Sequence, residues 1–442
     1  MLTSDTHIIK WFRLWQWLWV AVVAALAIGL LGWADGGAAT AALTLAYHIP
    51  RLMYARSRVS TPTGQVILTA AAAWLALLAI IFLWQSSVGE HTLQWPYLEG
   101  DMSKHFRWAV HHYSGQVPKP KITSGGYSAS IVALWWIFGQ SLIWPVALNV
   151  MLTLFSLVIT GQMAVSALSG SVSAPDRRIS TWAIGLSAVS GFYLSQGAML
   201  LKEPWVYIAI TLVGWGLAEA ICQRRGMLRP ALLFLAGGVI LSVIRAKYVN
   251  FLPIGIALLL AADWRRHWRL ASVLAMLSLG LWMLGLAISD HYTVEQQVNN
   301  VTGNALMHRA FDAEGWRGAF VAAYYGWPWW ARVLVLPLTV VIQTVIPLPW
   351  PPMEQLSSVT AWLPRIQWGW YVVAGLAVWF YVRYWLRAGR GLRLWCLFAP
   401  ACLAAIAYMT AGLVSRYALP FEPLVAVTAV AALFRRRGQE MR

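Results

Sequence analysis

Between Trp15 and Phe434 the chain alternates runs of roughly twenty apolar residues with short corners that carry arginine. That alternation leaves few folds open. Inside hydrocarbon every backbone N–H and C=O must be satisfied internally, and only a helix does this within one segment. The pattern predicts an all-α chain, a polytopic membrane helix bundle. Composition excludes the soluble alternatives. Hydrophobic residues make up 60% of the chain and charged residues 11%, against roughly 45–50% and 25% in a soluble domain. An ordinary cytosolic enzyme and a disordered tail protein are both excluded.

The expected crossings, about 12 in number, lie near 14–33, 37–54, 65–86, 142–168, 182–199, 205–222, 229–244, 250–264, 268–289, 366–387, 392–412 and 416–434. They make one transmembrane domain over residues 1–442. The first run, behind Lys10 and Arg13, lacks a convincing cleavage site and reads as an uncleaved helix. Two apolar pieces are left over, 128–139 and 331–350, both read as re-entrant or interfacial. Two long outer loops follow from the layout: 87–127, the catalytic candidate, and 290–365, an acceptor-side candidate.

Charge tests the layout. Arg51/Arg56/Arg58, Arg177/Arg178, Arg224/Arg225/Arg229, Arg265/Arg266/Arg269, Arg383/Arg387/Arg390/Arg393 and Arg435–Arg437 all fall on one side. With Lys10, Arg13 and Arg442 that side holds 21 of the 33 basic residues, while 11 of the 16 acids fall on the other. By the positive-inside rule the basic side is cytoplasmic. The net charge of +17 therefore serves topology and argues against nucleic acid as a partner. Trp33, Trp84, Trp182, Trp264 and Trp350 stand at span ends, where interfacial anchors belong. Cys222, Cys396 and Cys402 suggest neither a disulfide framework nor a metal knuckle.

The densest polar stretch is Glu99-Gly100-Asp101-Met102-Ser103-Lys104-His105-Phe106-Arg107, followed by His111 and His112. Helical spacing places Asp101, His105 and His112 on one face of a surface helix, with Phe106 and Trp108 dipping toward lipid. A carboxylate at the lip of a bundle can have its pKa tuned for general-base work; a wet, headgroup-binding helix has the same composition. Lys202-Glu203-Pro204 and Arg245-Ala246-Lys247-Tyr248 lie at corners of the same outer side. Arg416-Tyr417 opens the last span, with Glu422 about two turns deeper. Ionisable groups at hydrocarbon are costly, so each is a site candidate, although each alone also suits a snorkelling anchor.

An acid facing several cations suits a phosphorylated substrate. The cations stabilise leaving phosphate, while the carboxylate accepts a proton from an attacking hydroxyl. A lipid-linked phosphate fits, because its tail can slip laterally between spans, past Pro-rich segments such as 331–352. Glu99, Asp101 and His105 offer ligands to Mg or Mn, but their spacing matches no dedicated metal motif. No cofactor is required. There is no P-loop and no His-Glu-x-x-His, and Gly125-Gly126 reads as a loop bend.

The same residues carry a resemblance. Asp101 leads an amphipathic helix through Ala109. Gly115, Gly126-Tyr127 and a short apolar helix ending Phe138-Gly139-Gln140-Ser141 follow, and then a long helix with Asn149. This stretch, to Ala164, resembles the opening of the GT-C glycosyltransferases, multispanning enzymes that use polyprenyl-phosphate sugars. Ser415-Arg416-Tyr417-Ala418-Leu419-Pro420-Phe421-Glu422-Pro423 looks like the Arg-Tyr-x-x-Pro segment of bacterial members. The resemblance implies a GT-C-like bundle in a bacterial inner membrane, with its active site facing the periplasm. It would move a sugar, with inversion, from a polyprenyl-phosphate donor to an envelope glycan, lipid or polymer. Asp101 maps onto the family's catalytic acid, with Glu99 beside it either assisting or holding a metal. Lys202, Arg245, Lys247 and Arg416 are expected to hold donor phosphate and His105 to orient substrate. Glu203, Tyr248 and Tyr417 complete the binding set. Many members carry adjacent Asp-Glu where this chain has Glu99-Gly100-Asp101, which leaves the base open between the two carboxylates. Rival expectations are a polysaccharide polymerase or ligase using lipid-pyrophosphate oligosaccharides, and a lipid-linked glycan transporter or flippase.

Overall fold

The computed structural model describes residues 3–98, 100–116, 125–169, 171–172, 175–223, 226–288, 323–345, 368–410 and 418–434, and these contain helices and no β-strand. Glu99, Arg416, Tyr417, Trp350 and most of 290–365 lie outside the described residues.

Helix α1 (Thr3–Ala55) folds back on itself at Gly32 (φ 80°, ψ 175°), a conformation glycine adopts at little steric cost. Its limbs correspond to the expected spans 14–33 and 37–54. A Cβ on Gly36 would stand 2.5 Å from Ile28 Cα, so the backbones touch near the bend. Farther out, Gln16 Nε2 donates to Tyr47 Oη at 3.1 Å. Helix α2 (Pro62–Ser86) starts where a sequence signal says it should: Thr61 Oγ1 accepts from Gly64 N at 2.8 Å, with Pro62 in the first turn.

The stretch 87–127, expected as an outer loop, is helical over much of its described length. It contains α3 (Gly100–Tyr113) and the start of α4 (Gly125–Phe138), joined where Phe106 and Tyr113 meet Trp135 edge-on at 5.1 and 5.7 Å. Gly125-Gly126 is therefore helix, not a loop bend. The reason is packing: a side chain on Gly126 would collide with Val243 of α9, so glycine here permits close approach. At about 1.5 Å per residue, the 14 residues of α4 reach about 21 Å, short of a hydrocarbon core of roughly 30 Å.

Helix α5 (Ile143–Leu168) is the hub, packed against α1, α2, α4 and the later α6, α8 and α17. Its buried Thr153 and Thr160 donate to the carbonyls of Asn149 and Ser156 four residues back, the usual way a hydroxyl is tolerated inside an apolar bundle. The expected span 182–199 is broken into α6 (Asp176–Ala188) and α7 (Gly191–Gly197). The break falls at Ser190, whose Oγ accepts from Tyr193 N at 3.3 Å and caps the second piece. Average hydropathy carries no trace of such a cap.

Helices α8 (Glu203–Ile221) and α9 (Leu228–Arg245) pack along each other. Small residues let the backbones meet: a Cβ on Gly237 would stand 2.5 Å from Ala209 O, and one on Gly216 2.7 Å from Pro230 O. A 3-10 turn, Ala246–Phe251, leads into α10 (Leu252–Ala262) and α11 (Trp264–Ile288). The piece expected to re-enter at 331–350 begins as two short helices, α12 (Trp329–Leu334) and α13 (Leu336–Val345). The chain closes with α14 (Trp368–Arg383), α15 (Arg390–Cys396), α16 (Phe398–Thr410) and α17 (Glu422–Leu433).

Among the described residues six stretches are long and apolar enough to cross a membrane, namely α2, α5, α8, α9, Trp264–Leu284 and Arg390–Tyr408, consistent with a membrane protein. The other expected spans fall on shorter, broken or folded-back helices. Arginine corners distant in sequence gather at one end of the bundle. Arg177 Nε reaches Arg58 O at 3.5 Å, Arg178 lies 5.1 Å from the Phe434 ring, and Arg390 Nη2 donates to Ala261 O at 2.7 Å. Trp33, Trp84, Trp182 and Trp264 are exposed, as interfacial anchors would be.

Candidate functional site

At the end opposite the arginines, the corner before α8 is fixed by one side chain. Asn149 Nδ2 lies 2.6 Å from Met199 O, 2.7 Å from Leu201 O and 3.2 Å from Tyr127 Oη. These carbonyls belong to the irregular stretch between α7 and α8; Met199 O also accepts from Leu201 N at 2.9 Å, whereas Leu201 O would otherwise be unpaired in an apolar setting. Lys202, buried, follows directly as the N-cap residue of α8, and Glu203 is its first helical residue. Asn149 thus sets where Lys202 and Glu203 stand. Its replacement by Ala should cost about 1–3 kcal/mol, the usual penalty for one stranded carbonyl, here that of Leu201. Thermal unfolding in detergent measures this, and an unchanged midpoint would show that the corner holds itself.

Glu203 meets Arg245, the last residue of α9, in an ion pair with Nη1–Oε1 of 2.6 Å. Both side chains are buried, at 3% and 6% exposure, so this pair is shielded from water. The guanidinium also lies 5.3 Å from the ring centre of Tyr248 in the following 3-10 turn, and Tyr248 faces Phe421 from the chain's last described segment at 6.4 Å. Lys247 sits between them in sequence, half-buried.

His105 is the inward residue of α3. Its ring is buried, with Nδ1 3.1 Å from Ser128 Oγ of α4 and an edge-to-face contact with Tyr127 at 5.0 Å. Its pKa is held down to about 3, chiefly by burial and next by the Lys202 charge, with Asp101 and Glu203 acting against this and Arg245 adding to the lowering. Those four charges all act on one imidazole, which links Asp101, His105, Lys202, Glu203 and Arg245 from three distant parts of the sequence. Asp101, on the first turn of α3, is 35% exposed, with Lys104 4.0 Å away. A partly wet carboxylate thus stands beside buried cations.

Two expectations about α3 need correction. His112 does not share the His105 face inward; it is exposed and stacks on Trp108 at 3.7 Å. Phe106 does not dip toward lipid, because Trp135 of α4 covers it. The arithmetic of helical spacing could not know that α4 lies over this side. Glu203, expected to bind substrate, is engaged by Arg245. Among the described residues no three His, Cys, Asp or Glu side chains converge as a metal site. Ser128 was missed; the signal available was a small hydroxyl in an otherwise apolar helix. Searches of protein families, curated proteins and solved structures find nothing that matches this chain.

Proposed function

We propose that this end of the bundle is the active site of a membrane glycosyltransferase that moves a sugar from a polyprenyl-phosphate donor to a hydroxyl of an envelope glycan, lipid or polymer. The setting is a GT-C-like bundle of about twelve crossings in a bacterial inner membrane, with the site on the periplasmic face. The observation that carries the reading is the placement of a half-exposed acid, Asp101, against a buried group of Lys202, Arg245 and neutral His105. Asp101 takes the proton of the attacking hydroxyl as that oxygen bonds the anomeric carbon. The bond to phosphate breaks on the opposite side, which inverts the centre. Lys202 and Lys247, with the outer face of the Arg245 guanidinium, receive the charge that develops on the leaving phosphate. His105 orients the substrate as a neutral hydrogen-bonding group. Arg416 and Tyr417 join the phosphate side, and Glu99 assists the base. This chemistry requires no cofactor; were Mg or Mn to take part, Asp101 with Glu99 would offer it carboxylate oxygens.

A polymerase using a lipid-pyrophosphate oligosaccharide would use the same chemistry on a larger donor. The second reading, a lipid-linked glycan transporter, draws support from the α6–α7 break, since transporters build sites at interrupted helices. Purified protein and a panel of synthetic polyprenyl-phosphate sugars separate them. Transfer should fall by about 10²-fold or more in Asp101→Asn with donor binding kept. Unchanged transfer in that variant removes Asp101 from the chemistry. Binding without turnover across the panel moves the assignment to the polymerase or the transporter.

A further inference from the structure

Behind the outer site, the α6–α7 break faces a second acid. Glu422 opens α17, is buried, and hydrogen-bonds Ser190 at the break. Its Oε2 is buried with no hydrogen-bond partner. The Oη of Tyr207 on α8, one turn from Glu203, is likewise buried and unpartnered. Tyr207 stacks on Tyr193 of α7 at 4.2 Å and 20°, and Tyr193 Oη is bonded to Ser156 of α5. Tyr207 thus lies one turn along α8 from Glu203 and, through its stack on Tyr193, beside the short helix whose cap residue Ser190 bonds Glu422. An unpartnered acceptor and an unpartnered hydroxyl in one apolar region call for a proton or a water between them.

Among the described residues the surroundings of Glu422 are otherwise poor in charge. Helix α5 carries no ionisable side chain, and those of α6 (Asp176, Arg177, Arg178) lie at the far, arginine-rich end. Helix α14 brings Tyr371 and Tyr381, with Arg383 at the far end, while the 3-10 turn Leu419–Phe421 is apolar. Tyr193 and Tyr207 are the near titratable groups on α7 and α8. None of the ion pairs among the described residues involves Glu422. Burying a carboxylate without a cation costs several kcal/mol or more, and the group carries a proton instead.

We propose that Glu422 is a proton-binding site within the bundle that exchanges its proton with the outer site through Tyr207. In one transfer the Glu422 carboxylic acid gives its proton, by way of one bridging water, to the Tyr207 oxygen, as the Tyr207 hydroxyl proton passes by a second water to the Glu203 carboxylate. Glu422 is then a transient anion, Glu203 the neutral acid and Tyr207 restored; because Arg245 favours the Glu203 carboxylate, the reverse transfer follows and returns an exchanged proton to Glu422. The proposal is independent of sugar transfer and is tested without it.

Infrared spectroscopy of the purified full chain in lipid nanodiscs reads the site directly. At pH 7 the wild type should show the carbonyl stretch of a buried protonated carboxylic acid, shifted in D2O and lost in Glu422→Gln. Tyr207→Phe should keep the band but slow its shift in D2O by tenfold or more. If Glu422→Gln does not fold, Glu422→Asp keeps an acid and should move the band. Arg416→Ala should leave the band as it is. The proposal is overturned by absence of the band in the wild type, its persistence in Glu422→Gln, its appearance only in Arg416→Ala, or wild-type exchange in Tyr207→Phe.

Discussion

Arg245→Ala should destabilise the folded protein by about 3–5 kcal/mol, and by more than the double replacement Glu203→Leu with Arg245→Met. The reason is the water-shielded setting of the pair, at 3% and 6% exposure. Its two charges lost hydration on folding and recover it through a 2.6 Å contact. Removing the guanidinium alone leaves the Glu203 carboxylate in a low-dielectric corner, with Asn149 fixing the backbone around it and little freedom to swing into water. Removing both leaves an apolar contact between α8 and α9, which close-packed glycines already hold together. Arg245→Lys should fall between, since an ammonium keeps the charge but loses the planar stack on Tyr248. Denaturant titrations in mixed micelles on the single and double variants make the cycle. Equal losses for Arg245→Ala and the double variant would show that water reaches Glu203 and that the pair adds little. The proposed mechanism sets a further condition. Arg245 must keep Glu203 while turning other donors to phosphate, so Glu203→Gln should change donor affinity more than maximal turnover.

What the sequence made legible was cost. Apolar runs broken by arginine point to helices in hydrocarbon, and α2, α5, α8 and α9 stand where such runs were read. Asp101, His105, Lys202, Glu203 and Arg245 stood out because ionisable groups beside apolar runs are expensive, and in the fold the four charges act on the His105 imidazole. What sequence hid was pairing. Nothing in the stretch around Asn149 says that its amide reaches carbonyls 50 and 52 residues on, or that Ser128 will meet His105. Nor does hydropathy show that one serine divides the 182–199 run, because an average over twenty residues is blind to a cap. His112 failed for a related reason. Helical spacing says which residues share a face, but only the neighbouring helix decides which face is dry.

His105 turns that dryness into a pH dependence. In the unfolded chain its imidazole takes a proton near pH 6.5, whereas in the fold burial, reinforced by Lys202, holds the pKa down to about 3. Between these values the unfolded state binds one proton more than the folded state. Folding stability from this residue is therefore fully present above pH 6.5 and declines as the pH falls toward 3. At 1.36 kcal/mol per unit, the loss from pH 7 to pH 4 is on the order of 3 kcal/mol. His105→Gln keeps a group able to bond Ser128 but cannot titrate, so its stability should lack that slope while the carboxylates still contribute theirs. Denaturation midpoints of both proteins between pH 4 and 8 give the difference directly. Parallel curves would mean that the ring is protonated in the fold, and that Asp101 and Glu203 outweigh burial and Lys202. The same result would change the chemistry, because an imidazolium beside Asp101 would compete with the acceptor hydroxyl for the very carboxylate that must take its proton. A neutral His105 leaves Asp101 free to act as the base.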